Sequence, residues 1–437
     1  MATPLEYSLR LLSNLSESAI AERLQLRDTI QQLVYKGTRE GARVGKTFQR
    51  RFKDIQNLVP GQTLQKQTSS PSSLFDLNPT EEQQMLQEML KSFATDVMRP
   101  HAEESEKQGR PSKDYFHQLQ ELGLPLLAIP EALGGAGQHR TPLTSALLAE
   151  SLSYGDMGLA LASLSTLGFI NAVTEYGSLE QQGRYLPALA KDEPLYASLA
   201  LMEPKLRFTT DHMATIATPT GQGFLLKGEK NLVVLHDLAD VFLVFAECPG
   251  HGPRAFFVEA NTPGVHLEAE STMGLQNAAL GRLRFQDVAL PKDALLGEGN
   301  PYHHPSLVDL SKIGLCALAV GTCRAILEYV IDYCNARVAF GEPISHKQAV
   351  AFMIAEMAIE LEGMQLLTLR AASRAEQGLD FHKEAYLAHI QCIDKGMQIG
   401  TNGVQLLGGA GFVCDHPIER WYRQIRAIGV LQGSLPV

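Results

Sequence analysis

The chain has 437 residues, enough for two or three domains, because single hydrophobic cores stop growing well below that length. Its 45% hydrophobic and 20% charged residues are those of an ordinary globular protein, and a net charge of −10 argues against a general nucleic-acid binder. The longest uncharged runs, 157–174 and 396–414, are both broken by polar residues or glycine, so neither reads as a membrane span.

Residues 1–75 read as an N-terminal extension. It holds a predicted helix over about residues 20–35 and a segment, 36–53, with seven basic residues against one Glu. A Ser/Pro-rich linker follows at 68–73. The basic segment predicts a solvated surface, with peripheral contact to anionic lipid as the sharper alternative. Glu6, Glu17, Glu22 and Asp28 make a transit peptide a poor fit, so this end is read as part of the mature protein.

"NPTEEQQ" predicts a helix start, with Thr80 as the capping residue and Gln83 closing a capping box. Apolar residues three and four apart then continue to about residue 194, defining a helical domain over 76–194. Loops are expected at "PEALGGAGQHR" and "EYGSLEQQGRYLP". From Leu195 the texture changes to short β-branched and aromatic runs divided by Gly, Pro and Asn. Among them are "ADVFLVFAEC", "RAFFVEA" and "GRLRFQDVALP", which predict a β-domain over 195–300.

Long helical periods return over 301–437. Val350, Ile354, Met357, Leu361 and Met364 line one face of a helix that stops at Gly378, and three long helices plus a shorter last one predict a bundle. The glycine-rich stretches at 134–137 and 408–411 follow no strand and are not phosphate loops. Six cysteines without a CxxC pair suggest reduced thiols in a cytoplasm, with Cys316 and Cys323 in a core and no metal site.

Several motifs in this order resemble the acyl-CoA dehydrogenase family over about residues 78–437. They are "PEALGGAG", "GSLEQQGRYLP", "LMEPKL", "LKGEKNLVV", "ARVAFGEPISHKQ" and "VQLLGGAGFVCDHPIERWYRQIRA". The resemblance implies an α+β, acyl-CoA dehydrogenase-like fold: an N-terminal all-helical domain, a middle β-barrel or sandwich, and a C-terminal helical bundle. It also implies FAD as cofactor, a homodimer or tetramer, and desaturation of an acyl-CoA at Cα–Cβ. Electrons would pass to an electron-transfer flavoprotein or a quinone-linked partner. In such chemistry a carboxylate takes the α-proton, hydrogen bonds to the thioester carbonyl stabilise the developing enolate, and the flavin carries the redox step.

Carried over position by position, the resemblance places Arg337, Phe340, Gln348, Gln405 and Gly409 at the adenine and pyrophosphate side of FAD. At the flavin ring its hydroxyl-bearing positions fall on Met202 and Val234, both apolar, which leaves recognition there to backbone groups. The family's usual catalytic glutamate falls on Gln432 in "VLQGS", and an alternative base position on the first bundle helix falls on Ser311. Neither an amide nor an unassisted hydroxyl is a base near neutral pH. Asp309 is the nearest other carboxylate, but residues two apart on a helix do not share a face. Glu419 is expected to pair with Arg420 or Arg423. Two readings follow: an active dehydrogenase, or a catalytically silent acyl-CoA-binding or scaffold protein.

Overall fold

The computed structural model describes residues 79–437 apart from 138–140, 192–194 and 300–301. The expectations for residues 1–75, including the helix and the basic segment 36–53, lie outside the described residues.

Helix α1 (Glu81–Phe93) begins as its sequence predicts. Thr80 Oγ1 accepts from the Gln83 N–H at 3.2 Å and Gln83 Oε1 accepts from the Thr80 N–H at 3.0 Å, so two orphan donors of the first turn are satisfied at once. A single π-helical turn, Ala94–Met98, leads to α2 (Arg99–Gln108), α3 (Lys113–Glu121), α4 (Leu124–Ala128), α5 (Pro142–Ser153), α6 (Met157–Tyr176) and α7 (Leu179–Leu189).

Helix α7 corrects one expectation, since it falls on the stretch "EYGSLEQQGRYLP" that reads as a loop. Ser178 and Gln181 form a second capping box, and Gln181 is buried. Its Nε2 donates to the Asp293 and Leu295 carbonyls at 2.8 and 2.7 Å, while its Oε1 accepts from the Gly297 N–H at 2.8 Å. This capping and long-range hydrogen bonding outweigh the low helix propensity of one glycine.

The middle sheet contains β1 (Ala197–Ala200), β2 (Ile216–Thr220), β3 (Gly223–Val233), β4 (Val241–Cys248), β5 (Gly252–Glu259), β6 (Val265–Ala269) and β7 (Gly281–Pro291). The strand order is β1-β4-β2-β3-β7-β6, with β5 on the other edge of β4. Strand β1 is the one that the alternation pattern does not reveal. All four of its residues are buried, as expected of a strand covered on both faces and running parallel to β4. One face of the sheet packs on α6 and α7 through Phe169, Tyr185 and Phe257, the last two stacked at 4.5 Å between ring centroids.

The C-terminal bundle is α8 (His304–Ala336), a short hairpin of β8 (Val338–Ala339) and β9 (Glu342–Pro343), then α9 (Gln348–Glu376), α10 (His382–Leu407) and α11 (Ile418–Ile425). Gly378 follows α9 at φ +66°, a left-handed position that suits a residue without a Cβ. Helices α6 and α8 are long and apolar enough to cross a membrane, but 89% and 83% of their apolar windows are buried inside the protein, which makes them core helices. All six cysteines are free, and Cys316 and Cys323 lie in the core.

Candidate active site

The five adenine-side candidates gather at one end of the bundle. Arg337 closes α8, Phe340 sits in the turn between β8 and β9, Gln348 opens α9, Gln405 lies in the last turn of α10, and Gly409 lies in the 3₁₀ turn after it. Tyr333 joins the two corners by donating to the Leu407 carbonyl at 3.4 Å. Phe340 is 97% exposed and held at φ +56°, a conformation unfavourable for a side chain of that size. The Arg337 guanidinium has no ion-pair partner among the described residues, and a Cβ added at Gly409 would meet nothing within 4 Å. An uncovered aromatic ring, a free guanidinium and two exposed amides suit an anionic, aromatic ligand.

The second cluster lies where β1 and β3 end. Met202 follows β1 and is largely buried, and its carbonyl accepts from the Asn231 N–H at 3.0 Å. Val234 is buried too, so its side chain packs inside instead of facing solvent. The strand bulges between Lys230 and Val233, and Leu232 and Leu235 both take left-handed φ values of 52° and 53°. The Leu232 N–H donates to the Glu270 carboxylate at 3.0 Å. This irregular backbone faces a mainly apolar cleft of about 230 Å³, bounded by Leu232, Met273, Leu280, Arg426, Val430 and Leu431.

Beneath the bulge, Lys230 Nζ donates to Glu203 Oε1 and to the Leu201 carbonyl, both at 2.9 Å, with both charged side chains buried. Burial pushes the Glu203 carboxyl up. Lys230 and the Ala214 and Thr215 N–H donors more than reverse that and hold it at about 2. Burial pulls Lys230 down to about 8 despite its partner. The pair is therefore an internal brace under the ends of β1 and β3, and its groups are occupied.

Gln432 lies in an irregular segment after α11 and is partly buried. Gly433 beside it has φ +69°, and a Cβ there would approach Leu201 Cδ2 to 2.1 Å, so only glycine lets the segment seat against the end of β1. Ser311 is fully buried on α8, and its Oγ accepts from the Leu435 N–H at 3.1 Å. Ser311 thus binds the chain three residues after Gln432.

Asp309 turns elsewhere, as its spacing from Ser311 requires. Its Oδ2 lies 2.6 Å from His382 Nδ1 and its Oδ1 lies 2.8 Å from Lys312 Nζ, beside a separate cleft of about 750 Å³. Glu419 pairs with Arg423, as expected, and Arg423 also holds both carboxylate oxygens of Glu106. Sequence reasoning did not single out Gly168, Asn171 and Gly314, which line the groove that receives residues 435–437. Small residues and an Asn in apolar helices carry no signal that separates such a groove from ordinary helix packing.

A helical layer, a central sheet and a helical bundle, in that order along the chain, make up the architecture of the acyl-CoA dehydrogenase fold. The family descriptions "Acyl-CoA dehydrogenase, N-terminal domain", "middle domain" and "C-terminal domain" match residues 80–193, 198–288 and 305–437. An acyl-CoA dehydrogenase of Bacillus subtilis is 31% identical over 365 residues, covering 82% of this chain and 96% of that protein. The short-chain specific mitochondrial enzyme of Bos taurus is 30% identical over 81% of this chain and 87% of its own.

Among solved structures, butyryl-CoA dehydrogenase from Megasphaera elsdenii superposes with a TM-score of 0.75 at 28% identity, covering 82% of this chain and 95% of that one. A structure described as an electron transferring flavoprotein of Acidaminococcus fermentans does so with 0.75 at 30%, over 82% and 95%. An FAD complex of PigA gives 0.75 at 27%, over the same shares. The chain belongs to the acyl-CoA dehydrogenase family. It is accordingly a flavoprotein of acyl-CoA dehydrogenase type, with FAD as its cofactor.

Proposed function

We propose that the protein desaturates an acyl-CoA thioester at Cα–Cβ, holding FAD at the bundle end and the thioester beside Gln432. The observation that carries this reading is the corner of Arg337, Phe340, Gln348, Gln405 and Gly409, exposed together and unoccupied by the protein's own side chains. Arg337 suits the pyrophosphate charge, Phe340 offers a stacking face for the adenine, and the two amides supply hydrogen bonds. When bound, FAD supplies the hydride acceptor that none of the protein's side chains can provide.

A second copy of the chain completes the corner. Phe340 and Phe412 are almost fully exposed, and Phe352, Ile359 and Leu366 recur every seven residues on α9 as an uncovered apolar seam. That pattern supports a homodimer built on the bundle. The acceptor of the electrons is an electron-transfer flavoprotein, and the cytoplasm is the compartment that suits six free thiols.

At the reacting carbon this chain polarises better than it deprotonates. The Gln432 backbone N–H can hydrogen-bond the thioester carbonyl and stabilise an enolate, whereas its amide side chain removes no proton. Lacking a positioned base costs about 10²- to 10⁴-fold in rate, so slow turnover is expected, not silence. Anaerobic mixing of the purified protein with acyl-CoAs of several lengths tests the reading: the oxidised flavin band should bleach over minutes. A protein that carries no flavin and cannot be reconstituted with FAD sinks it.

A further inference from the structure

From the seating of residues 434–437 we infer that this segment is an intramolecular plug of the acyl site. The inference rests on the functional reading above for the identity of the site, while the plug itself rests on contacts within the chain.

Three elements form the groove that holds the segment. On α8, Ser311 Oγ accepts from the Leu435 N–H at 3.1 Å, and a Cβ on Gly314 would come within 2.2 Å of the Leu435 carbonyl oxygen. On α6, Asn171 Nδ2 donates to the Pro436 carbonyl at 3.1 Å, and a Cβ on Gly168 would stand 3.1 Å from Pro436 Cδ. Leu201, at the end of β1, presses on Gly433. Leu435 and Val437 are each only 2% exposed. Apolar side chains thus fill the groove while Ser311 and Asn171, both buried, bond to the segment's backbone.

The position of this segment matters as much as its burial. Gln432 and Ser311 are the two places at which the family's proton-abstracting group can stand, so the reacting carbon must come between them. In this structure the Leu435 N–H, three residues after Gln432, is bonded to Ser311 itself. A segment confined to the far end of the groove would shorten the acyl chain accepted; one at the reacting position excludes any thioester until it withdraws.

Binding is then linked to withdrawal. The apparent affinity for acyl-CoA is the intrinsic affinity multiplied by the withdrawn fraction, so a segment withdrawn a tenth of the time or less weakens binding about tenfold or more. Withdrawal leaves Ser311 and Asn171 needing new partners, which a thioester carbonyl or an amide of the CoA arm can offer.

The test uses the FAD-loaded full chain. Leu435→Asp places a carboxylate at a position only 2% exposed and should expel the segment. Binding of butyryl-CoA and octanoyl-CoA is followed by calorimetry, and exchange of the Leu435 amide by hydrogen–deuterium mass spectrometry. The plug predicts about tenfold or greater tightening in Leu435→Asp. In wild type, where no folding defect can intrude, it predicts that saturating acyl-CoA exposes the Leu435 amide.

Tight wild-type binding with that amide still protected overturns the plug and leaves the dehydrogenase reading intact. Unchanged or weaker binding in a Leu435→Asp protein that keeps its helical spectrum overturns it as well. Failure of every variant to bind either thioester overturns the functional reading and the plug together.

Discussion

Arg420 Nε donates to Asp156 Oδ2 across 3.1 Å, although 264 residues separate them. The same carboxylate caps α6 through the Gly158 and Leu159 N–H groups and accepts from Asn277 Nδ2 and Gln424 Nε2. One buried Asp therefore ties the first helical layer, a loop of the β-domain and α11 to a single point, next to the segment that carries Gln432. Asp156→Ala leaves Arg420 buried without its counter-charge and should cost about 3–5 kcal/mol. Urea denaturation checks this, and a loss below about 1 kcal/mol would show that water replaces the carboxylate.

Glu203 and Lys230 make a second test of buried charge. Glu203→Gln keeps the shape but strands an ammonium, with an expected loss of about 3–5 kcal/mol, while Glu203→Gln with Lys230→Met should recover much of it. A double-mutant cycle on thermal or urea unfolding reads the coupling directly. Additive losses would mean that the two charges do not brace the strand ends jointly.

FAD retention should depend on the bundle-end corner. Arg337→Ala removes the guanidinium proposed to meet the pyrophosphate and should weaken FAD by about 1.5–3 kcal/mol, roughly ten- to a hundredfold. Fluorescence titration of the apoprotein with FAD measures it. Equal affinity in wild type and variant would remove Arg337 from the cofactor site.

Gln432→Glu should raise the rate of flavin bleaching by acyl-CoA about 10²- to 10⁴-fold by restoring a positioned base. The gain should appear with a pH profile that rises as the new carboxylate ionises. If stopped-flow traces of the two proteins superimpose, residue 432 does not face the α-carbon.

Two histidines predict the acid limb of stability. Burial lowers the pKa of His304, partly offset by its hydrogen bond to the Thr210 carbonyl, and burial lowers His389 with a similar offset from the Ile428 carbonyl. Both native groups hold a proton less readily than their unfolded forms, which titrate near 6.5. Below about pH 6.5 the unfolded chain binds more protons, so stability is complete above that pH and falls as pH drops through the lowered native values. Melting temperatures between pH 8 and 5 should show this decline, with a shallower slope in His304→Gln; parallel slopes would assign the decline to other groups.

The sequence by itself determined the layout. Capping boxes, 3.6-residue periods and short β-branched runs are local signals, so helices, most strands and the order helical, β, helical could be read from neighbouring residues alone. They also placed an amide at position 432 and a hydroxyl at position 311, which settles that neither side chain there is a base. Where "EYGSLEQQGRYLP" reads as a loop, partners more than a hundred residues away in Asp293, Leu295 and Gly297 decided for a helix. Strand β1 stayed hidden because four buried residues are too short a run to read, whereas the nearly as buried β4 is eight residues long.

Only the tertiary structure decided that Ser311 is bonded three residues after Gln432, and that residues 435–437 fill the space between α6 and α8. Ser311 and Leu435, 124 residues apart, become hydrogen-bonded partners through packing. No local pattern encodes packing: a Gly, an Asn and a Ser on apolar helices look the same in sequence whether they line a groove or close one.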